Sequence, residues 1–377
     1  SPFFNWSKPF VQLETTRGCF NTCAFCVSGG EKPVRTLSVE AIRERVRLIH
    51  EKGIRNIRVL DRTFNYQSHR AKALFDLFRE FPDMRFHLEI HPALLSEELK
   101  QELASMPKGL LHLEAGIQSL HEEVLTVSRR AGKLADALEG LRYLCALDNM
   151  ETHADLIAGL PLYHLSQIFD DVRTLAEYRA GEIQLESLKL LPGTEMRRRA
   201  EELGICYSPL PPYEVLQTRE ITPDELQTAR QLSRLLDGFY NAPAWQEITR
   251  RLIVEEPDFL TRFLDHLIQI GVIDQPMGLE RRGILLYHFC KEHYPLFLTA
   301  MSRAWIEAGM SLKKEPAERV RTKHVTPPEA WTVCTGTYRD DLRLCKLPAP
   351  EEGRCYWYGF ETESQQLRPV FAAVSQE

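Results

Sequence analysis

Between Phe10 and Leu203 short apolar runs alternate with amphipathic stretches of helical period, the pattern of a parallel sheet whose strands are joined by helices. Strands are predicted at Phe10 to Thr15, Asn56 to Asp61, Arg85 to Ile90, Leu110 to Gly116, His153 to Ile157 and Ile183 to Leu190. The first helix shows the logic: Ser38 is a natural N-cap, and Val39, Ile42, Val46 and Ile49 recur every three or four positions. Gly53 then supplies the left-handed residue that ends a helix. Glu40, Arg43, Glu44 and Arg45 fill its other face. Similar stripes run through Ala71 to Phe81, Leu134 to Leu147 and Ile168 to Tyr178, and their apolar residues are expected in the core. Six β/α units are two fewer than a closed eight-fold barrel. The expected fold is therefore α/β, a partial (β/α)6 TIM-like barrel, with chemistry at the C-terminal ends of the strands.

After Gly204 the texture changes. Pro209, Pro211 and Pro212 punctuate a loop, and Thr222-Pro223-Asp224-Glu225 reads as a capping box that opens a helix to about Tyr240. Trp245 to about Gly309 is mainly helical in pattern, and beyond Lys313 the chain becomes irregular, with strands expected near Trp331 to Cys334 and Cys355 to Phe360. The expected domains are 1–204, the barrel, and 205–377, a mostly helical C-terminal domain.

The 377 residues are 44% hydrophobic and 27% charged, ordinary globular material with no apolar run near the ~18 residues of a membrane span. A net charge of -6 argues against a surface built broadly for nucleic acid. Nine irregularly spaced cysteines in a chain this long point to a reducing cytoplasm rather than a secreted disulfide framework. The start Ser1-Pro2-Phe3-Phe4 lacks both a signal pattern and an initiator methionine, so residues upstream of Ser1 are expected to be processed or missing.

One stretch carries most of the chemistry: Cys19, Cys23 and Cys26, in Arg17-Gly18-Cys19-Phe20-Asn21-Thr22-Cys23-Ala24-Phe25-Cys26, just after the first predicted strand. A structural zinc normally takes four protein ligands, whereas three thiolates on a [4Fe-4S] cluster leave one iron open for a small molecule. A non-catalytic zinc module completed by a distant ligand is the reading from a different class.

The CxxxCxxC spacing with Phe25 before the last cysteine resembles the radical S-adenosylmethionine (radical SAM) enzymes. In that family three cysteines hold a [4Fe-4S] cluster whose fourth iron is chelated by SAM, and one electron releases a 5′-deoxyadenosyl radical that removes a substrate hydrogen. A reductant such as flavodoxin or ferredoxin is the implied partner, and the substrate is not readable. The resemblance implies further cofactor-binding residues. Thr63 lies in Leu60-Asp61-Arg62-Thr63-Phe64-Asn65, the glycine-free counterpart of the family's glycine-rich element, and Gly29-Gly30-Glu31 is a misleading match to it. Glu89 resembles the third-strand acid, Gln118 the polar group beside the ribose, Arg130 the arginine for the methionyl carboxylate, and Asp155 the acid for ribose hydroxyls. Leu191, in Leu190-Leu191-Pro192-Gly193-Thr194, corresponds to the place where backbone meets adenine.

Asp61-Arg62-Thr63-Phe64-Asn65, Leu13-Glu14-Thr15-Thr16-Arg17-Gly18-Cys19 and Pro211-Pro212-Tyr213-Glu214-Val215-Leu216-Gln217-Thr218 resemble more narrowly a cobalamin-associated subgroup with a C-terminal domain of unknown function. Its usual N-terminal cobalamin domain, marked by Asp-x-His-x-x-Gly, is not in this sequence. If cobalamin is used, the expected reaction is methyl transfer. Alternatives within the superfamily are a methylthiotransferase, for which a second cluster-binding domain and a basic tail are expected, or a coproporphyrinogen-dehydrogenase-like oxidase. Cys334, Cys345 and Cys355 could ligate an auxiliary cluster or be scattered free thiols, and Cys145, Cys206 and Cys290 read as buried thiols. His91, His112, His153, Tyr66 and Tyr163 fall at or near strand ends, without a partner that would make any of them catalytic.

Overall fold

Period-two alternation decides the architecture. In Arg85–Ile90, Phe86, Leu88 and Ile90 are buried, while Arg85, His87 and Glu89 alternate with them and line internal cavities. Phe86 stacks on Phe78 of a neighbouring helix at 3.9 Å between ring centroids. The computed structural model describes residues 5–361 and 368–376 and divides into two compact units, Ser1–Leu236 and Asp237–Glu377.

The first unit is built on six strands: β1 (Val11–Leu13), β2 (Asn56–Val59), β3 (Arg85–Ile90), β4 (Leu111–Gln118), β5 (Glu151–Ala158) and β6 (Glu182–Ser187). They pair in parallel in that order, with β1 and β6 at the edges. Each crossover carries helix: α1 (Val39–Glu51), α2 (Ser68–Arg79), α3 (Glu97–Ala104), α4 (Glu122–Val127) with α5 (Leu134–Cys145), and α6 (Leu165–Glu177). This is the expected partial TIM-like barrel. As the sequence suggests, the Ser38 side chain accepts the Ala41 amide at 3.2 Å to start α1, and Gly53 follows the helix at φ +80°.

β1 is shorter than predicted for a specific reason. The Asp61 carboxylate, just past β2, accepts the amides of Thr15 at 2.7 Å and Thr16 at 2.8 Å and also the Thr15 hydroxyl, ending the ladder there. β6 likewise ends at Ser187, and Lys189 then bridges antiparallel to Glu214.

The first unit continues past residue 204. A short helix, α7 (Glu195–Arg198), is followed by the antiparallel pair Cys206–Tyr207 and Val215–Gln217 and by α8 (Pro223–Leu235). The Val215 amide donates to the Leu188 carbonyl at 2.9 Å, and Val215 and Leu226 approach Gly159 after β5, so this segment packs in the same compact unit as the barrel. The capping box forms, with Glu225 accepting the Thr222 amide at 2.8 Å, and α8 runs into a π-helical turn, Leu236–Tyr240.

The second unit begins with α9 (Gln246–Glu255), α10 (Phe259–Gln269), α11 (Leu279–His293) and α12 (Leu298–Glu307). Trp245 and Trp305 stack at 6.1 Å over Gly283, where a Cβ would lie 2.5 Å from the Trp245 ring. The irregular tail of the sequence folds as an antiparallel sheet of β7 (Thr332–Thr335), β8 (Arg343–Ala349), β9 (Arg354–Phe360) and β10 (Phe371–Gln376), in the order β7-β10-β9-β8.

Candidate active site

The loop bearing the three cysteines follows β1 and closes on itself. Gly18 sits at φ +96°, where a Cβ would meet the Glu31 carbonyl at 2.5 Å, and the Cys19 amide donates to that carbonyl at 3.1 Å. The Gly30 amide bonds the Asn21 carbonyl at 2.8 Å, so Gly29-Gly30-Glu31 shapes this loop. Three further bonds fasten it to distant segments. Ala24 donates its amide to Ser128 O and accepts from the Met196 amide through its carbonyl, each at 2.8 Å, and Asn21 Oδ1 accepts the Ala131 amide at 3.1 Å.

Cys19, Cys23 and Cys26 line one cavity of about 150 Å³ at the C-terminal end of the barrel, and Phe25, Thr63, Glu89, Gln118, Arg130 and Asp155 line it with them. Leu191 stands apart from that lining, in the turn after β6, where its carbonyl accepts the Thr194 hydroxyl at 2.8 Å. Asn21, Arg62, Ile90, Glu114 and Gly116 also line the cavity and were not singled out from the sequence, and His91, noted there at a strand end, lines it too. Glu114 had a usable signal, since it lies two and four residues before Gly116 and Gln118 on the same face of β4.

Arg130 is the central side chain. Its Nη2 donates to the Gly116 carbonyl and its Nη1 reaches Cys23 Sγ at 3.7 Å. The adjacent Arg129 turns away to Glu195. A Cβ at Gly116 would lie 2.6 Å from Gln118 Nε2, the end of a flexible side chain, and at an ordinary 3.7 Å from Arg130 Nη2. Gln118 adopts φ +73°, a strained conformation for a side-chain-bearing residue of the kind that collects at functional sites. Thr63 Oγ1 lies 3.9 Å from Cys19 Sγ.

The acids share a buried, mutually repelling environment. Burial, with Glu114 adding repulsion, pushes the Glu89 carboxyl up to about 7, against the opposing charge of Arg62 at 3.7 Å. Asp155 is raised well above the usual carboxylate range by burial and then by Glu114, and its Oδ1 has no hydrogen-bond partner. Burial pushes the Cys23 thiol up, and the Arg130 guanidinium opposes that shift. Burial lowers His91 to about 4, and its Nε2 bonds the Ala131 carbonyl at 3.0 Å.

The donor set fits a [4Fe-4S] cluster and SAM. Three cysteines face one cavity, a guanidinium is placed to stabilise a thiolate, and a buried carboxylate oxygen there lacks a donor. The other cysteines do not form a second set. Cys345 and Cys355 lie in clusters on opposite faces of the β7-β10-β9-β8 sheet, because Cys345 pairs with Tyr358, three positions along β9 from Cys355. Cys334 is exposed. Burial pushes Cys145 and Cys290 up to about 12, whereas Cys206, expected buried, is exposed. Tyr163 is fully buried and donates to Asp171 at 2.5 Å, which removes it from any substrate surface, and Tyr66 stacks on Phe20 at 4.8 Å.

A parallel partial barrel with a three-cysteine loop after its first strand defines a class of cluster-dependent enzyme. Residues 13–175 match the Radical SAM superfamily, and residues 201–301 match Protein of unknown function (DUF4080). Among curated proteins the chain is 27% identical over 213 residues to tRNA-2-methylthio-N(6)-dimethylallyladenosine synthase of Herpetosiphon aurantiacus, covering 52% of this chain and 47% of that one. It is 26% identical over 170 residues to ribosomal protein uS12 methylthiotransferase RimO of Prochlorococcus marinus, covering 42% and 39%. The chain thus spans about half the length, or less, of these relatives. Similar solved structures include the radical SAM methyltransferase TsrM of Kitasatospora setae (TM-score 0.47, 17% identity, 58% of this chain and 44% of that one). The cobalamin-dependent radical enzyme OxsB is another (TM-score 0.46, 15% identity, 78% and 53%). Among the described residues no helix is long and apolar enough to cross a membrane.

Proposed function

We propose that this chain binds a [4Fe-4S] cluster through Cys19, Cys23 and Cys26, cleaves SAM reductively and abstracts hydrogen from an organic substrate. The observation that carries the reading is the convergence of the three cysteines with Glu89, Gln118, Arg130 and Asp155 on one cavity. When bound, the cluster supplies the one-electron reduction that splits the sulfonium into methionine and a 5′-deoxyadenosyl radical. The protein's part is placement. Arg130, anchored on Gly116, offers a planar fork to a carboxylate while placing its positive charge 3.7 Å from Cys23 Sγ. Asp155 offers a buried acceptor to a hydroxyl, and Gln118 lines the same wall. Phe25 and Ile90 supply apolar surface that limits water. Flavodoxin or ferredoxin is the proposed electron donor, and the cytoplasm the compartment.

The finer reading is cobalamin-dependent methyl transfer, with the corrinoid held outside the residues described here; the Asp61 to Asn65 and Pro211 to Thr218 wording supports it. A second reading, methylthio transfer, is supported by the sequence likeness to the Herpetosiphon and Prochlorococcus proteins. Anaerobic reconstitution with iron and sulfide should give a brown protein absorbing near ~400 nm that releases 5′-deoxyadenosine with dithionite and SAM. A reconstituted Cys19→Ala/Cys23→Ala/Cys26→Ala chain that still released it would sink the assignment. A colourless protein holding tight zinc on these cysteines would support the zinc module instead.

A further inference from the structure

The lower barrel lumen holds a second cavity, of about 640 Å³, towards the N-terminal ends of the strands, with Arg58, His87, His112, Glu114, His153 and Glu182 in its wall. Parallel register assembles the histidines: His87 pairs with His112, Glu114 with His153, and His153 with Glu182. Ring centroids are 4.9 Å apart for His87 and His112, 5.4 Å for His112 and His153, and 6.4 Å for His87 and His153.

The Nδ1 atoms of His87 and His112 are 3.4 Å apart. Two nitrogens bound to one tetrahedral ion at about 2.0–2.1 Å stand roughly 3.3 Å from each other. Two rings have their other nitrogen against a carboxylate, His87 Nε2 at 2.8 Å from Glu114 and His153 Nε2 at 3.1 Å from Glu182. Carboxylates in that position orient metal-bound imidazoles and raise their basicity. His112 Nε2 and both ring nitrogens of His153 are buried without a hydrogen-bond partner, so Glu182 lies close to His153 Nε2 without hydrogen-bonding to it. Glu114, Glu151 and Glu182 outnumber Arg58 and Arg85 on the wall, which favours a cation.

We infer that His87, His112 and His153 bind one divalent transition-metal ion of the imidazole-preferring class, such as Zn²⁺, with Glu114 and Glu182 orienting the rings. Water or an anion from the cavity fills the remaining coordination. Among the described residues no three donors yet meet at one ion position. His87 and His112 stand at ligand spacing, and the inference requires the His153 ring to turn from its place stacked on His112.

The test is titration of the full chain with Zn²⁺ against a chromophoric chelator, with its cluster reconstituted so that the cysteines are occupied, together with zinc-edge X-ray absorption. The expected result is one zinc per chain with a nitrogen and oxygen shell near ~2.0 Å. Affinity should fall about 100-fold in His112→Phe and His153→Phe and about tenfold in Glu182→Gln. Circular dichroism verifies folding, and if one histidine variant does not fold, the other and Glu182→Gln decide. Absence of stoichiometric zinc, unchanged affinity in the folded variants, or sulfur neighbours near ~2.3 Å would overturn the inference. The Cys19→Ser/Cys23→Ser/Cys26→Ser chain should bind the same zinc, which separates this site from the cluster assignment.

Discussion

Arg130 bonds the Gly116 carbonyl with one arm of its guanidinium and reaches Cys23 Sγ at 3.7 Å with the other, joining the loop after β4 to the cysteine loop after β1. Charge-assisted contacts of this kind contribute about 1.5–3 kcal/mol. In the cluster-free chain, Arg130→Ala should therefore slow alkylation of Cys23 at neutral pH about tenfold or more, read by mass spectrometry of iodoacetamide-labelled peptides. Arg130→Lys should restore the alkylation rate better than SAM cleavage, because an ammonium carries the charge without the fork.

Gly116 and Gly140 should tolerate alanine to different degrees. At Gly116 the nearest obstruction is Gln118 Nε2, the movable end of a flexible side chain. Gly116→Ala should change unfolding stability by less than about 1 kcal/mol yet weaken SAM binding, measured by calorimetry on the reconstituted protein.

At Gly140, within α5, a Cβ would lie 2.2 Å from the Pro92 carbonyl oxygen, which is backbone. Alanine gains up to about 1 kcal/mol of helix propensity, but the forced overlap should outweigh it. Gly140→Ala should be destabilising by about 1–3 kcal/mol net, read from the urea midpoint.

The stability of the cluster-free, metal-free chain should depend on pH in two opposed ways. Glu89, pushed up to about 7, binds its proton more tightly folded than unfolded. Its contribution is present below about pH 4.5 and is lost as pH rises through 7. His112, lowered to about 3, does the reverse, and its contribution grows as pH rises from 3 to about 6.5. Glu89→Gln should remove the fall and His112→Gln the rise, each seen as a difference from the parent in unfolding free energy across pH 4 to 8. A Glu89→Gln profile parallel to the parent would contradict the buried, repelled carboxyl.

Reconstituted protein should hold about four iron atoms per chain rather than eight. Cys345 and Cys355 face opposite sides of one sheet, so Cys334→Ala/Cys345→Ala/Cys355→Ala should leave iron content and the visible spectrum unchanged.

The barrel was legible because its signals are local: a cap at Ser38, a helical stripe from Val39 to Ile49, alternation along Arg85 to Ile90. The cysteine loop was legible for the same reason. Glu114 was missed because its importance depends on register, which places it opposite Glu89 on one strand and His153 on the other. The shortened β1 was missed because it follows from a carboxylate 46 residues away. The sheet from β7 to β10 escaped full prediction because its strands are short or interrupted by Pro348, and the side each cysteine takes emerges only from pairing.

The backbone bonds that tie Ala24 to Ser128 and Met196 bear on the order of events when the protein is made. Held at Ala24 by a barrel carbonyl and a barrel amide, the loop is expected to keep its shape without iron. Cluster assembly is then expected to fill a preformed loop, unlike a zinc finger, whose metal is needed for folding. Amide hydrogens at Ala24 and Met196 should exchange at similar slow rates with and without iron.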